Sequence, residues 1–338
     1  MAIGFFGIKE RDEEMIRKAL DMEGVMDEAR FVRDPVSPEH IPIDKDLEVM
    51  SVFVNSKVTK DVIARLPSVK MIVTRSTGYD HIDVSAAKEK GIVVTNVPSY
   101  GEHTVAEFAF ALLLTLSRRM YPAITRVKTQ GQFSYDGLEG FDLNGKTIGI
   151  IGTGRIGRHS VAMARGFDMK VIAYDPQPDT DFAKKQDVTY MSLRELASRS
   201  DVITIHVPYL KETHHLVNRE FISHMKRGAI LINTARGGIV DTEAMVEGLR
   251  SGVIGGVGLD VLEEEGGVQD EISFMFNGHP GEKELRTVLA NHILMELPNV
   301  IITPHNAFNT IEARQRIFRT TAQNIKAFFH HKPMNVVS

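Results

Sequence analysis

Short apolar runs recur along the chain at Ala2 to Phe6, Val49 to Val54, Met71 to Thr74 and Ile92 to Val97. Their length and their richness in Val and Ile predict buried strands. Helical stretches are expected between the later ones, at Thr59 to Leu66 and Asp83 to Lys90, with Gly91 placed to close the second. One long helix is expected from Glu102 to Arg119, apolar on most faces, with Thr104, Glu107 and Thr115 as the few polar interruptions. Such a helix belongs between layers, here between two domains. A second series of strands follows at Thr147 to Ile151, Lys170 to Tyr174, Val202 to His206, Ile230 to Asn233, Gly256 to Asp260 and Asn299 to Thr303, with a helix at Thr242 to Ser251. The tail from Thr310 to His331 places Ile311, Ile317, Phe318, Ala322, Ile325, Phe328 and Phe329 close to a period of about 3.6, an amphipathic helix expected to cover the first domain.

Strands alternating with helices imply parallel sheets. At 338 residues the chain is long for one core and divides into two domains of ordinary size. The second series of strands forms one doubly wound sheet, over residues 102–301, and needs no help from the tail. Residues 1–101 then form a second α/β domain with residues 302–338, so this domain is discontinuous and the hinge lies near residues 100 and 302. A cleft between two such lobes is where a ligand is sealed from water.

Composition narrows the partners. A net charge of −4 gives no reason to expect nucleic acid or an anionic membrane surface. The longest apolar run, around Phe108 to Leu116, is too short to span a bilayer. No basic leader precedes the first apolar stretch, so a cytoplasmic protein is expected. There are no cysteines, which excludes disulfides, zinc thiolate sites and cysteine nucleophiles.

The strand at Thr147 to Ile151 runs directly into Gly152-Thr-Gly154-Arg-Ile-Gly157, and Asp175 closes the next strand. Each part has a job in holding a dinucleotide. Gly152 permits the sharp turn, Gly154 lets bare backbone approach a pyrophosphate, and Gly157 lets the helix lie close to the sheet. The helix start offers N–H groups to phosphates, and Asp175 is placed to accept from an adenosine ribose. NADP is disfavoured, because Asp175 repels a 2′-phosphate and Pro176, Gln177 and Pro178 bring no arginine.

Three later strands end in polar segments, where ligands collect in open α/β sheets: Asn233-Thr-Ala-Arg236-Gly-Gly238, Gly258-Leu-Asp260-Val-Leu-Glu263-Glu-Glu265 and Thr303-Pro-His305-Asn-Ala-Phe308. Singly they are ambiguous: Arg236 could be a surface ion-pair partner, Glu263 to Glu265 a solvated charge run, His305 a satisfied buried histidine. Together they match the needs of hydride transfer to a 2-keto acid. Arginine forks a carboxylate, histidine donates a proton near neutrality, and a glutamate fixes the far ring nitrogen. Other histidines carry less. The side chains of the adjacent His214 and His215 are expected to diverge, so they cannot share an ion, and no metal is expected. The 15 methionines read as core filler.

The ordered set Arg75-Ser-Thr-Gly78, Val97-Pro-Ser-Tyr100, Val105-Ala-Glu107, the glycine turn with Asp175, His206-Val-Pro208, Asn233-Thr-Ala-Arg236-Gly, Leu259-Asp260 with Glu265, and Thr303-Pro-His305 resembles the NAD-dependent D-2-hydroxyacid dehydrogenases, and within them the D-lactate dehydrogenase branch. The resemblance covers nearly the whole chain. It implies two Rossmann-like or flavodoxin-like doubly wound domains with the active-site cleft between them. By the same resemblance Arg236 binds and polarises the substrate, His305 is the proton donor and Glu265 orients it. Thr77 and Gly78 offer N–H groups to the substrate carboxylate, while Tyr100 and Phe308 line the pocket. On the NAD side it implies Arg155 and Ile156 at the pyrophosphate, Asp175 at the ribose, and Val207, Pro208 and Thr213 around the adenosine half. Thr234 and Asp260 fall near the nicotinamide, with Ala235 among the cofactor contacts. A homodimer is implied, with the stretch from Tyr121 to Leu143 as its arm.

The long insert between Glu265 and Pro298 resembles the lactate branch rather than the glyoxylate or glycerate reductases. Against this, Asn55 stands after Val54 where the lactate branch often carries a tyrosine, which leaves room for a different 2-substituent. Other readings stay open: an NAD-sensing corepressor of the same fold, or a related dehydrogenase acting on another 2-keto acid or on phosphite. A phosphoglycerate dehydrogenase with a regulatory module is disfavoured, since no residues follow Ser338.

Overall fold

Among the described residues the apolar runs become strands that pair with one another in parallel, as alternation with helices implies. The computed structural model describes residues 2–25, 28–265 and 281–337. The chain divides into two compact units, Met1–Gly101 with Asn309–Ser338, and Glu102–Phe308. His305 therefore falls within the second unit, rather than with the 302–338 segment assigned above to the first domain.

In the first unit, β1 (Ala2–Phe6), β2 (Glu28–Val32), β3 (Leu47–Val52), β4 (Met71–Thr74) and β5 (Val93–Thr95) form a sheet of order β2-β1-β3-β4-β5. The helix at Glu10–Glu23 packs against the final helix, Ile311–Phe329. The final helix buries Ile317, Phe318, Ala322 and Ile325, as its apolar stripe predicts. Full burial of each large side chain is worth about 1.5–3 kcal/mol. Thr59 and Asp83 cap the two short helices at Lys60–Arg65 and Val84–Glu89 through their side chains.

In the second unit, β6 (Thr147–Ile151), β7 (Lys170–Tyr174), β8 (Thr189–Tyr190), β9 (Val202–Ile205), β10 (Ala229–Asn233), β11 (Ile254–Leu259) and β12 (Val300–Ile302) form a sheet of order β12-β11-β10-β9-β6-β7-β8. The long helix Glu102–Ser117 packs on the helix Arg155–Gly166 and on β10 and β11. The order reverses at β6, so the crevice at the carboxyl ends of β6 and β9 is the switch point where such sheets bind ligands. One line of paired residues runs along that edge: Ile302, Leu259, Asn233, Ile205, Ile151 and Tyr174. The residues that follow them are Thr303, Asp260, Thr234, His206, Gly152 and Asp175, so register alone lines up the candidate chemistry on one edge.

Candidate active site

Gly152 leaves β6 with φ +94°, a conformation that favours glycine, and a Cβ there would come 2.8 Å from the His206 carbonyl oxygen. At Gly157 a Cβ would lie 2.0 Å from the Gly152 carbonyl oxygen, which shows how tightly the helix Arg155–Gly166 is pressed onto the turn. Gly154 differs. A Cβ there would meet no atom of the protein within 4 Å, so internal packing does not demand this glycine, whereas close approach of a pyrophosphate would. Gly154 caps the helix with its backbone and begins the turn that presents the N–H groups of Arg155 and Ile156.

Asp175 Oδ2 accepts from the Thr153 N–H at 2.8 Å and the Thr153 hydroxyl at 2.9 Å, and Oδ1 accepts from the Gln177 N–H at 2.9 Å. Its carboxylate is thus fixed beside the glycine turn. An arginine invisible to local reading also lies here: Arg158 donates to Asp179 at 2.6 Å and to the Thr153 carbonyl at 3.1 Å, and covers the Phe182 ring. Val207 is buried, and Thr213 shapes the following loop by accepting from the Leu210 N–H and donating to the Pro208 carbonyl, both at 2.7 Å.

His206 Nε2 lies 2.9 Å from the Ser160 hydroxyl and 3.1 Å from that of Thr204. Burial pushes its pKa from the ordinary 6.5 down to about 4, so it stays neutral. A base whose folded-state pKa lies below its unfolded value stabilises the fold above the unfolded pKa and loses that contribution as pH falls. Between pH 6.5 and about 4 the unfolded chain binds a proton that the folded chain refuses. The loss amounts to about 3 kcal/mol across the window. His206→Gln should therefore flatten the acid-side fall in melting temperature; an identical fall would assign it to other groups.

Arg236 stands at the start of a short 3-10 turn, Gly237–Ile239, with Nη1 donating to the Ala235 carbonyl at 2.9 Å. The Asn233 side chain ties this segment together, accepting from the Ala235 N–H and donating to the Arg236 carbonyl. A Cβ at Gly237 would fall 2.0 Å from the Leu262 carbonyl carbon, so the arginine turn presses directly on the strand of chain that leads to Glu265. The Thr234 hydroxyl is buried and has no partner among the described residues.

The decisive pair is Glu265 and His305, forty residues apart in sequence: Oε2 lies 3.0 Å from Nδ1, which leaves Nε2 as the outward nitrogen. His305 sits at φ +50°, and its N–H donates to the Asp260 carbonyl at 2.8 Å. Asp260 builds the turn that carries it, accepting from the Thr303 hydroxyl at 2.5 Å and the N–H groups of Asn306 and Ala307 at 2.8 and 2.7 Å. Burial raises the Asp260 pKa, and these three donors oppose the shift.

In the first unit the segment after β4 is equally defined. Arg75 is buried, donates to the Ser51 hydroxyl at 2.9 Å and the Phe6 carbonyl at 2.6 Å, and so ties the ends of β1, β3 and β4. Burial lowers its pKa to about 9, which leaves it charged at neutrality. The Thr77 hydroxyl donates to the Val97 carbonyl and Asn96 donates to the Thr77 carbonyl, both at 2.8 Å. Among the described residues the N–H groups of Thr77 and Gly78 meet no acceptor. The Tyr100 carbonyl accepts from Arg316; Tyr100 and Phe308 are each half-buried.

The sequence pattern of the D-isomer specific 2-hydroxyacid dehydrogenase NAD-binding domain matches residues 110–307. The chain belongs to this family of NAD-dependent oxidoreductases acting on a CH–OH group. It is 37% identical to a 2-hydroxyacid dehydrogenase homolog of Zymomonas mobilis over 96% of both chains. It is 34% identical to the D-lactate dehydrogenase of Escherichia coli, again over 96% of both. Among solved structures, the D-lactate dehydrogenase of Aquifex aeolicus complexed with NAD and lactic acid matches with a TM-score of 0.85 at 38% identity, over 98% of this chain and 96% of that one.

One expectation is corrected. The rings of His214 and His215 do not diverge but stack with centroids 3.9 Å apart, because His215 adopts φ +50° and its side chain turns back over its neighbour. Among the described residues no group of three His, Asp or Glu could hold a metal ion, and no helix is long and apolar enough to cross a membrane. Of the long insert, residues 266–280 lie outside the described residues, and the rest forms the helix Glu282–Glu296.

Proposed function

We propose that the protein is a D-lactate dehydrogenase, reducing pyruvate to D-lactate with NADH in the cytoplasm and catalysing the reverse oxidation. Bound NADH supplies a hydride to C2 of the keto acid. Arg236 grips the carboxylate with its fork, aided by the N–H groups of Thr77 and Gly78. His305 Nε2 gives its proton to the carbonyl oxygen, while Glu265 on Nδ1 holds the ring in one orientation. Arg155 and Ile156 serve the pyrophosphate, Asp175 the ribose, Val207, Pro208 and Thr213 the adenosine side, and Thr234, Ala235 and Asp260 the nicotinamide side. Tyr100 and Phe308 line the space for the methyl group.

The observation that carries this reading is the Glu265–His305 pair at 3.0 Å, since a carboxylate on Nδ1 holds the imidazole in one orientation, as proton transfer to a carbonyl oxygen needs. A panel of pyruvate, glyoxylate, hydroxypyruvate, a branched 2-keto acid and, with NAD, phosphite tests it. Pyruvate should give the highest kcat/KM and a product wholly of D configuration; an L product, or preference for another acid, overturns it. Preference for a larger keto acid is the second reading. It is favoured by Asn55, whose Oδ1 would lie only 3.2 Å from a Cβ on Gly7 and which therefore lies over the end of β1 without the bulk of a tyrosine.

Asp175 sets the cofactor. Asp175→Ala with Gln177→Arg should move the NADPH-to-NADH ratio of kcat/KM upward by roughly ten- to a hundredfold, because a repelling charge goes and an attracting one arrives. Arg158 cannot take that role in the parent chain while it holds Asp179. An unchanged ratio would remove Asp175 from the ribose.

The protein works as a homodimer in this reading. Phe133 is 97% and Tyr135 87% exposed, on the stretch after the helix Met120–Gln130, which itself buries no residue. Aromatic rings so exposed mark an interface. Light scattering should give twice the chain mass, and Phe133→Ser with Tyr135→Ser a monomer; a monomeric parent excludes it.

A further inference from the structure

A second histidine–carboxylate pair lies two residues before Glu265. His215 Nε2 is 2.8 Å from Glu263 Oε1, and the Thr242 hydroxyl donates to Oε2 at 2.9 Å. The Glu263 carbonyl accepts from the buried Asn291 side chain at 2.8 Å. Three separate pieces of chain thus grip one residue: the loop after β9, the first turn of the helix Thr242–Ser251, and the helix Glu282–Glu296. The grip is not incidental to the backbone, since His215 takes φ +50° and Glu264 φ +56° to complete it.

What the grip fixes is the carboxylate of Glu265. Its Oε1 accepts from the Leu262 N–H at 3.2 Å, while Oε2 meets His305. Leu262 and Glu264 are the chain neighbours of Glu263, so any drift of Glu263 displaces both the donor that holds Glu265 and the peptide that leads to it. The pair is reached by solvent through a cavity of about 620 Å³. Among the described residues the other charged groups facing that cavity are Asp241 and Glu243, at the start of the helix Thr242–Ser251, and Glu282, Lys283 and Arg286 on the helix Glu282–Glu296. The His214 ring, stacked on His215, is itself held by the Tyr209 hydroxyl at 3.1 Å from its Nδ1.

We propose that His215 and Glu263 form a positioning pair that holds Glu265 against His305, and so sets the orientation of the proton donor without touching substrate. The inference rests on His305 being that donor. Glu263→Ala should lower kcat for keto-acid reduction by roughly ten- to a hundredfold while the KM for NADH stays within about twofold, since a misplaced acid costs turnover rather than binding. Glu263→Gln, which keeps the bond from Thr242, should recover most of kcat. Wild-type kcat in folded Glu263→Ala would overturn the proposal. If that variant does not fold, His215→Ala decides instead, with a smaller loss of kcat expected and wild-type behaviour again contradicting. NMR of the isotope-labelled histidine rings separates this inference from the reading beneath it. The His305 signals should change in these variants whatever the substrate, and unchanged signals overturn the pairing even if His305 proves to be the donor.

Discussion

Replacing His305 by alanine should lower keto-acid reduction on the order of a thousandfold while leaving NADH affinity within about twofold. The side chain is bonded to Glu265, and the turn beneath it is held by Asp260 through backbone groups that survive the substitution. The loss is therefore chemical, not architectural. Residue 305 sits at φ +50°, where alanine is strained, so the matching variant is His305→Asn, because asparagine tolerates this conformation. Both should be equally inactive if the ring is the acid. An active His305→Asn would trace the alanine defect to strain in the turn.

The glycine turn offers the second large effect, as a contrast between two positions. Gly157→Ala puts a methyl group 2.0 Å from the Gly152 carbonyl oxygen, so the helix Arg155–Gly166 must move off the sheet. A loss of about 3 kcal/mol in stability is expected, along with a roughly hundredfold loss of NADH affinity. Gly154→Ala meets nothing in the protein, so stability should change by less than about 1 kcal/mol while NADH affinity still falls roughly tenfold. Thermal unfolding without cofactor and a fluorescence titration with NADH read the two quantities apart. Full NADH affinity in Gly154→Ala would mean that no pyrophosphate approaches this backbone.

The apolar runs located much of the fold. β1, β4, β6, β7 and the helix Thr242–Ser251 coincide with the stretches that their apolar pattern marks out. β2 escaped because it is an edge strand with Glu28 and Arg30 on it and no buried residue, which leaves no pattern to read. The helix Met120–Gln130 escaped for the same reason, having no buried face. At the site, the glycine turn was legible because it is local: each glycine's task is fixed by residues a few positions away. The Glu265–His305 pair spans forty residues, so no local pattern joins the two; the need of a proton donor for an orienting carboxylate suggested them, and family resemblance added to that reading. The His215–Glu263 pair, forty-eight residues apart, was missed altogether. Its signal is a left-handed backbone at His215, which no side-chain type announces, and the same conformation defeated the expectation that two adjacent histidines point apart.

What His305 touches decides whether it is the proton donor. A crystal structure with NADH and oxamate, a stable mimic of pyruvate, should place His305 Nε2 about 2.6–3.2 Å from the oxamate carbonyl oxygen, with the Arg236 fork on the carboxylate. An oxamate carbonyl facing solvent, with the imidazole out of reach, would contradict it.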